Sequence, residues 1–252
     1  MAARKPLIAG NWKMFGRRAD LSEIAALWEK VAGVADRIDA LVCPPAPYVQ
    51  NAAWAARATG VLIGAQDCSA IAEDSARTGE ISAAMLADAG ATYVIVGHSE
   101  RRSLHGESDA LVRRKAEAAQ LAGLTPIVCV GETRAERDSG RAGHVVAAQV
   151  RESLPEAAGA LAIAYEPVWA IGGDRTPTPN EISEIHGVIK NTIRERLGPW
   201  AEAVRILYGG SVGPRNAAEI FGADGVDGAL VGRASLKAGD FGAIILAHPA
   251  AN

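Results

Sequence analysis

The chain predicts an α/β fold, and within that class a (β/α)8 barrel: eight parallel strands with helices outside. Three observations lead there. Eight short apolar runs alternate with amphipathic stretches. Several runs are apolar throughout rather than alternating, as strands covered on both faces are. No antiparallel hairpin signal separates them, so the units are βα repeats and the sheet is parallel. Eight such units can close on themselves, and a chain of 252 residues is long enough for a barrel that forms one domain. The expected organisation is a single domain over residues 1–252, with no linker, low-complexity tract or repeat beyond the βα unit. Periodicity alone also permits a doubly wound open sheet, which is the structural alternative.

The elements follow in order. Leu7–Ala9 is the first run, and after it Ile24, Leu27, Trp28 and Val31 fall at helical spacing. Ala40–Cys43, Leu62–Ala65, Tyr93–Val96, Pro126–Val130 and Leu161–Tyr165 are the next five runs. The helix after the sixth is the most sharply bounded. Thr178 can cap it, Pro179 suits its first position, and Glu181 can reach back to complete a capping box. Ile182, Ile185, Ile189 and Ile193 mark its apolar face, and Gly198-Pro199 is a stop signal. Val204–Tyr208 and Gly228–Val231 complete the eight.

Composition excludes several classes. A formal net charge of −3 provides no global field for nucleic acid or anionic lipid. Cys43, Cys68 and Cys129 are an odd set without metal-ligand spacing. They read as reduced thiols of a cytoplasmic protein. Arg4 and Lys5 precede only a short apolar run, too short for a signal-peptide core. No segment has the length of uninterrupted apolar sequence that a membrane span needs.

The polar residues at the ends of the runs carry the functional signal. Lys13, His98, Glu166, Ser211 and Gly232 all lie just after apolar runs. In a barrel such positions share the C-terminal face, where the active sites of this fold assemble. Glu166 heads Pro167, Val168, Trp169, Ala170, Ile171 and Gly172, a segment stiff at its start and loosened by glycine at its end. It reads as a carboxylate beside a hinged lid. Taken alone, Glu166 would be a structural loop cap, His98 a buried imidazole satisfied by backbone, and Lys13 a solvated surface lysine. Ser99-Glu100-Arg101-Arg102 reads as the start of a short helix, whose N-terminus disfavours a positive imidazole at His98. Arg101 and Arg102 read as structural ion-pair residues. Gly209-Gly210-Ser211 and Gly232-Arg233 offer unobstructed backbone N–H groups where barrels commonly bind phosphate.

Six strings together resemble the triosephosphate isomerase family: Gly10-Asn11-Trp12-Lys13-Met14, Val94 to Arg102, Cys129-Val130-Gly131-Glu132-Thr133, Tyr165 to Gly172, Tyr208 to Val212, and Leu230-Val231-Gly232. They occur in the family's order, and the resemblance covers the chain from Leu7 to Ile245. The resemblance implies a TIM barrel that interconverts dihydroxyacetone phosphate and D-glyceraldehyde 3-phosphate by proton transfer through an enediolate, with no cofactor and no metal. It implies Glu166 as the base and His98 as a neutral electrophile, a role for which this family is itself the standard example. It implies Lys13 as an electrostatic stabiliser, with Asn11 supporting substrate and Lys13. Substrate binding would fall to Asn11, Lys13, Gly172, Ser211, Gly232 and Arg233. The lid would run through Pro167, Val168, Trp169, Ala170, Ile171, Gly172, Gly173, Asp174, Arg175 and Thr176, excluding water while the phosphate is held. Ile171 and Leu230 would clamp Glu166 and raise its basicity by desolvation. Cys129 would pack near the base. The resemblance also implies a homodimer in which the Thr78-Gly79-Glu80 loop inserts beside the partner's site.

Four places depart from the family's pattern. Phe15 stands where the family usually has Asn, and Gly173-Asp174-Arg175 where it has Thr-Gly-Lys. Arg233 replaces the second glycine of the phosphate turn, and Ser75-Ala76-Arg77 precedes Thr78 where an aromatic is often found. A β-carbon at Asp174 disfavours positive φ. Arg233 keeps its backbone N–H, and its side chain is expected to point out of the pocket. An isomerase for a four-carbon ketose phosphate is the near alternative. A Schiff-base aldolase using Lys13, or a non-catalytic phosphate-binding relative, is the alternative from another class.

Overall fold

The computed structural model describes residues 4–171 and 175–251. Eight strands form a closed parallel barrel in sequence order. They are β1 Leu7–Asn11, β2 Asp39–Cys43, β3 Leu62–Ala65, β4 Tyr93–Val96, β5 Thr125–Val130, β6 Ala162–Tyr165, β7 Arg205–Tyr208 and β8 Gly228–Val231. Pairing of β1 with β8, from Leu7 opposite Gly228 to Gly10 opposite Val231, closes the sheet and rules out the doubly wound alternative. A glycine is required at that seam. Gly228 has φ 140°, and a β-carbon there would sit 2.0 Å from the Leu7 carbonyl oxygen.

Strand boundaries differ from the sequence expectation by one residue at several starts and by two at the end of β1. Asn11 is therefore inside the first strand, paired with Cys43, and its side chain is buried. Residues alternate between two cores. Leu7, Ala9, Leu41, Ile95, Ile127 and Leu207 fill the barrel interior. Ile8, Val42, Ile63, Val94 and Ile206 pack outward against the helices. Burial on both faces is why the runs are apolar throughout.

A helix follows each strand. After β6 comes Pro179–Leu197. The Thr178 hydroxyl accepts from the Glu181 N–H at 3.3 Å, and Glu181 accepts from the Thr178 N–H at 2.8 Å. Ile182, Ile185, Ile189 and Ile193 are buried on its inner face. Short helices Ser99–His105 and Arg134–Asp138 precede the main helices after β4 and β5. Among the described residues no helix is long and apolar enough to cross a membrane.

Candidate active site

Closure of the barrel brings the strand ends to one rim, where a cavity of about 970 Å³ opens. Asn11, Lys13, His98, Glu166, Ser211, Gly232 and Arg233 all line it, with Ile171 and Leu230. Gly172, Gly173 and Asp174 lie outside the described residues.

Glu166 leaves β6 almost fully buried. Its N–H donates to the Val130 carbonyl at 2.7 Å, which extends the β5–β6 ladder to the base of the side chain. This close approach explains Gly131: a β-carbon there would fall 1.7 Å from the Glu166 carbonyl oxygen. The carboxylate is held at both oxygens. Oε1 lies 2.8 Å from His98 Nε2, and Oε2 accepts from the Ser99 N–H at 2.8 Å.

His98 follows β4 by two residues and caps the helix Ser99–His105 with its own ring. Nδ1 accepts from the Glu100 N–H at 3.2 Å. An Nδ1 that accepts carries no proton, so the neutral ring keeps its proton on Nε2, facing Glu166. Burial disfavours charge on both groups and is the largest influence on each. Their mutual attraction outweighs it, so Glu166 is held below the usual carboxylate range and His98 above the usual imidazole range. Desolvation does act on Glu166 in the direction foreseen from the sequence. Direct contact with His98 reverses the net outcome in this arrangement. The same contact overrides the effect of the helix N-terminus on His98.

Lys13 has φ 53°, the one positive value at a described non-glycine residue. Such backbone costs on the order of 1 kcal/mol and needs fixed partners. Asn11 Oδ1 accepts the Lys13 N–H at 2.9 Å, and Gln66 Nε2 donates to the Lys13 carbonyl at 2.9 Å. The ammonium lies 2.6 Å from Glu100 Oε1. Gln66 carried no signal of its own, although it stands just past β3, where the strand-end rule would have placed it. Ser99 contributes only an N–H, which no side-chain reading reveals.

Across the cavity the site is built from turns. Ser211 Oγ donates to the Ala170 carbonyl at 3.0 Å, tying the first half of the expected lid to the β7 end. Asn216 steadies that turn, accepting from the Gly213 N–H at 2.8 Å and donating to the Ser211 carbonyl at 3.0 Å. Gly232 opens a short 3-10 helix, Arg233–Leu236, whose leading N–H groups have no upstream carbonyl to bond. Arg233 is exposed, with its guanidinium 5.8 Å from the centre of the Phe15 ring.

Glu132, quoted in a motif but given no role from the sequence, anchors the same first half of the lid segment from the β5 side. It accepts from Trp169 Nε1 at 2.7 Å and from the Tyr165 hydroxyl at 3.1 Å, while its carbonyl accepts from the Val168 N–H at 3.1 Å. Past the undescribed residues, Arg175 lies 5.2 Å from the Trp169 ring centre and pairs with Glu181 at 2.6 Å. Thr176 is exposed. Arg101 pairs with Asp67 at 2.9 Å. Arg102 donates to the carbonyls of Gly97 at 2.8 Å and Cys129 at 3.1 Å. Both are structural partners, as their sequence context indicated. Cys129 is buried against Glu166, and burial pushes its thiol far above the ordinary range, consistent with packing.

A closed (β/α)8 barrel with a carboxylate, an imidazole and an ammonium converging on one C-terminal pocket defines an enzyme of the barrel class, with its chemistry at the strand ends. Comparison with known proteins identifies which kind. The triosephosphate isomerase family model matches residues 6–248. Triosephosphate isomerase of Afipia carboxidovorans is 58% identical over 97% of this chain and 98% of its own. That of Xanthobacter flavus is 54% identical over 96% and 97%. The crystal structure of triosephosphate isomerase from Bartonella henselae superposes with a TM-score of 0.89 at 43% identity, covering 97% of this chain and 99% of that one. The chain belongs to the triosephosphate isomerase family and is an aldose–ketose isomerase.

Proposed function

We propose that the pocket interconverts dihydroxyacetone phosphate and D-glyceraldehyde 3-phosphate through an enediolate, with Glu166 as the base. The observation that carries this reading is the Glu166–His98 contact at 2.8 Å, in a cavity shared with Lys13 and the two glycine-rich turns. Moving a proton between adjacent carbons needs one base able to reach both. A carboxylate swung away from the Ser99 N–H takes the proton from one carbon and returns it to the next. His98 then directs its Nε2–H at a substrate oxygen instead of at Glu166. Once that carboxylate is displaced, its charge no longer favours imidazolium, and burial favours the neutral ring. A neutral donor suits an enediolate, whose charge is shared between two oxygens. Lys13 adds a positive charge where negative charge develops, with Asn11 and Gln66 holding its backbone.

The backbone N–H groups of Ser211, Gly232 and Arg233 serve the phosphate, and Gly172 joins them when the lid closes. Lid closure excludes water from the enediolate. Lys13 faces a carboxylate, not another cation or an apolar wall, the reverse of what activates a Schiff-base lysine.

The working form is a homodimer in the cytoplasm. Met14 is 95% exposed and Met85 54% exposed, a large apolar surface to leave in water. Beside Lys13 lies a second cavity of about 710 Å³, lined by Met14, Gln66, Gly79 and Ile81 among others. It has the size and chemistry to receive the Thr78 loop of a partner. The three cysteines are free and buried, compatible with a reducing compartment.

A coupled assay of triose phosphate isomerisation with purified protein tests the reaction, and size-exclusion chromatography with light scattering tests the dimer. Absence of turnover on triose phosphates, or a fully active monomer, would overturn the respective reading.

A further inference from the structure

Two departures from the family's pattern, remote in sequence, meet at the mouth of the pocket. Phe15 belongs to the turn after β1 and Arg233 to the turn after β8, and closure of the barrel puts them side by side with the guanidinium 5.8 Å from the ring centre. That is within the range of a cation–π contact. A buried link already joins the same two turns, because the Trp12 indole N–H donates to the Ser235 carbonyl at 3.1 Å. The two turns that carry Phe15 and Arg233 are therefore held together by the fold.

Arg233 has no hydrogen bond and no ion pair from its side chain among the described residues. Arg215, on the same cavity, is likewise without an ion pair among them. Asp240 lines that cavity too, within ion-pairing distance of neither arginine. Among the described residues at the open end, two arginines thus stand against one carboxylate, and Arg233 is one of the two without an ion pair. At the other end Lys13 is matched by Glu100.

We propose that Arg233, perched on Phe15, is a specificity-determining residue for the anionic end of the substrate. It attracts the phosphate to the Ser211 and Gly232 turns from outside, without occupying the volume the substrate needs. The Phe15 ring keeps the guanidinium at the rim. Without the ring, Arg233 could fold inward or pair with Asp240, and its field would be lost or misdirected. The inference deepens the proposed isomerisation and rests on it.

The test compares D-glyceraldehyde 3-phosphate with unphosphorylated D-glyceraldehyde, using the purified wild type, Arg233→Gln, Arg233→Lys, Phe15→Leu and the Phe15→Leu/Arg233→Gln double variant. A phosphate dianion and one screened positive charge several ångströms away predict a modest effect. Arg233→Gln should lower the ratio of kcat/KM for the two substrates about three- to fivefold at low ionic strength. The loss should lie in KM and shrink below about twofold near 0.5 M salt. Arg233→Lys should recover at least about half of it, since charge and cation–π contact both survive in lysine. In the Phe15→Leu background, Arg233→Gln should cost less than in the wild type, because the two residues act together. Equal losses on both substrates would indicate a structural role and overturn the inference, as would a salt-independent loss, no loss, or strict additivity with Phe15→Leu. A wild type inactive on triose phosphate overturns the isomerase reading itself, whereas an active wild type without the Arg233 effect overturns only the inference.

Discussion

The two ends of the pocket are built by opposite means. At the proposed proton-transfer end the groups are side chains locked to partners: buried Glu166 to His98 at 2.8 Å and to the Ser99 N–H at 2.8 Å, and half-buried Lys13 to exposed Glu100 at 2.6 Å. At the proposed phosphate end they are backbone N–H groups of turns, and the side chains nearby, Arg215 and Arg233, are exposed. Reactive atoms must be placed within about an ångström, so every side chain at the first end has a partner that fixes it. Backbone donors are supplied by any residue that accepts the turn, so the second end leaves its side chains free to differ. Phe15 and Arg233 depart from the family's pattern at that end. No departure falls on Lys13, His98 or Glu166.

The largest expected effect strikes the side-chain end. Lys13→Met should raise the barrier by about 3–4 kcal/mol, as losing one preorganised electrostatic group typically does, while the circular-dichroism spectrum stays that of the wild type. Steady-state kinetics beside the spectrum decide it. An active variant would break the contrast by showing that charge at this position is dispensable.

A smaller loss is expected from Gly131→Ala, which touches no substrate. Its β-carbon would meet the Glu166 carbonyl oxygen at 1.7 Å, so the strand ends must part and carry Glu166 with them. A shift of about an ångström should cost on the order of 10–10²-fold in kcat, with the inhibition constant of inorganic phosphate nearly unchanged. A variant that loses phosphate binding and keeps kcat would mean the two ends are not separable.

The gentlest probe sets two buried histidines side by side. His98 faces a carboxylate. His186, on the helix Pro179–Leu197, has its Nδ1 2.9 Å from the Gly225 carbonyl oxygen and its ring edge-on to Tyr165, with no carboxylate in contact among the described residues. Burial therefore pushes its pKa down to about 4. An unfolded histidine titrates near 6.5. Below that pH the unfolded chain binds a proton that the folded one refuses. Stability from His186 is thus complete above about pH 6.5 and is lost as pH falls toward 4, by up to about 3 kcal/mol. NMR titration should show His186 neutral through pH 5, and His98 with a midpoint above the ordinary one that drops in Glu166→Gln. An ordinary midpoint for His186 would contradict this.

Much of this architecture is legible in the chain. Strands buried on both faces must be apolar throughout, so Tyr93–Val96 and Gly228–Val231 stand out as runs. The strand-end rule brings Lys13, His98, Glu166, Ser211 and Gly232 to one rim because closure leaves them no other place. What stays hidden is what tertiary contact alone creates. Gln66 reaches over the end of β2 to the Lys13 carbonyl, and Asn216 braces a turn through its own amide. Glu132 binds Trp169 by a contact that neither residue's neighbours announce. The net pKa directions of Glu166 and His98 were hidden too, because they depend on whether the two groups touch. Phe15 and Arg233 could be marked as unusual one at a time, but their meeting depends on β1 pairing with β8.

The division of labour between the two ends is tested most directly by kcat and KM of Glu166→Asp on D-glyceraldehyde 3-phosphate. The change withdraws the carboxylate by one methylene and leaves the phosphate turns intact. Turnover should fall by on the order of 10²-fold or more, with KM within about threefold of the wild type. Turnover within a factor of about three of wild type, or a loss lying wholly in KM, would contradict Glu166 as the base.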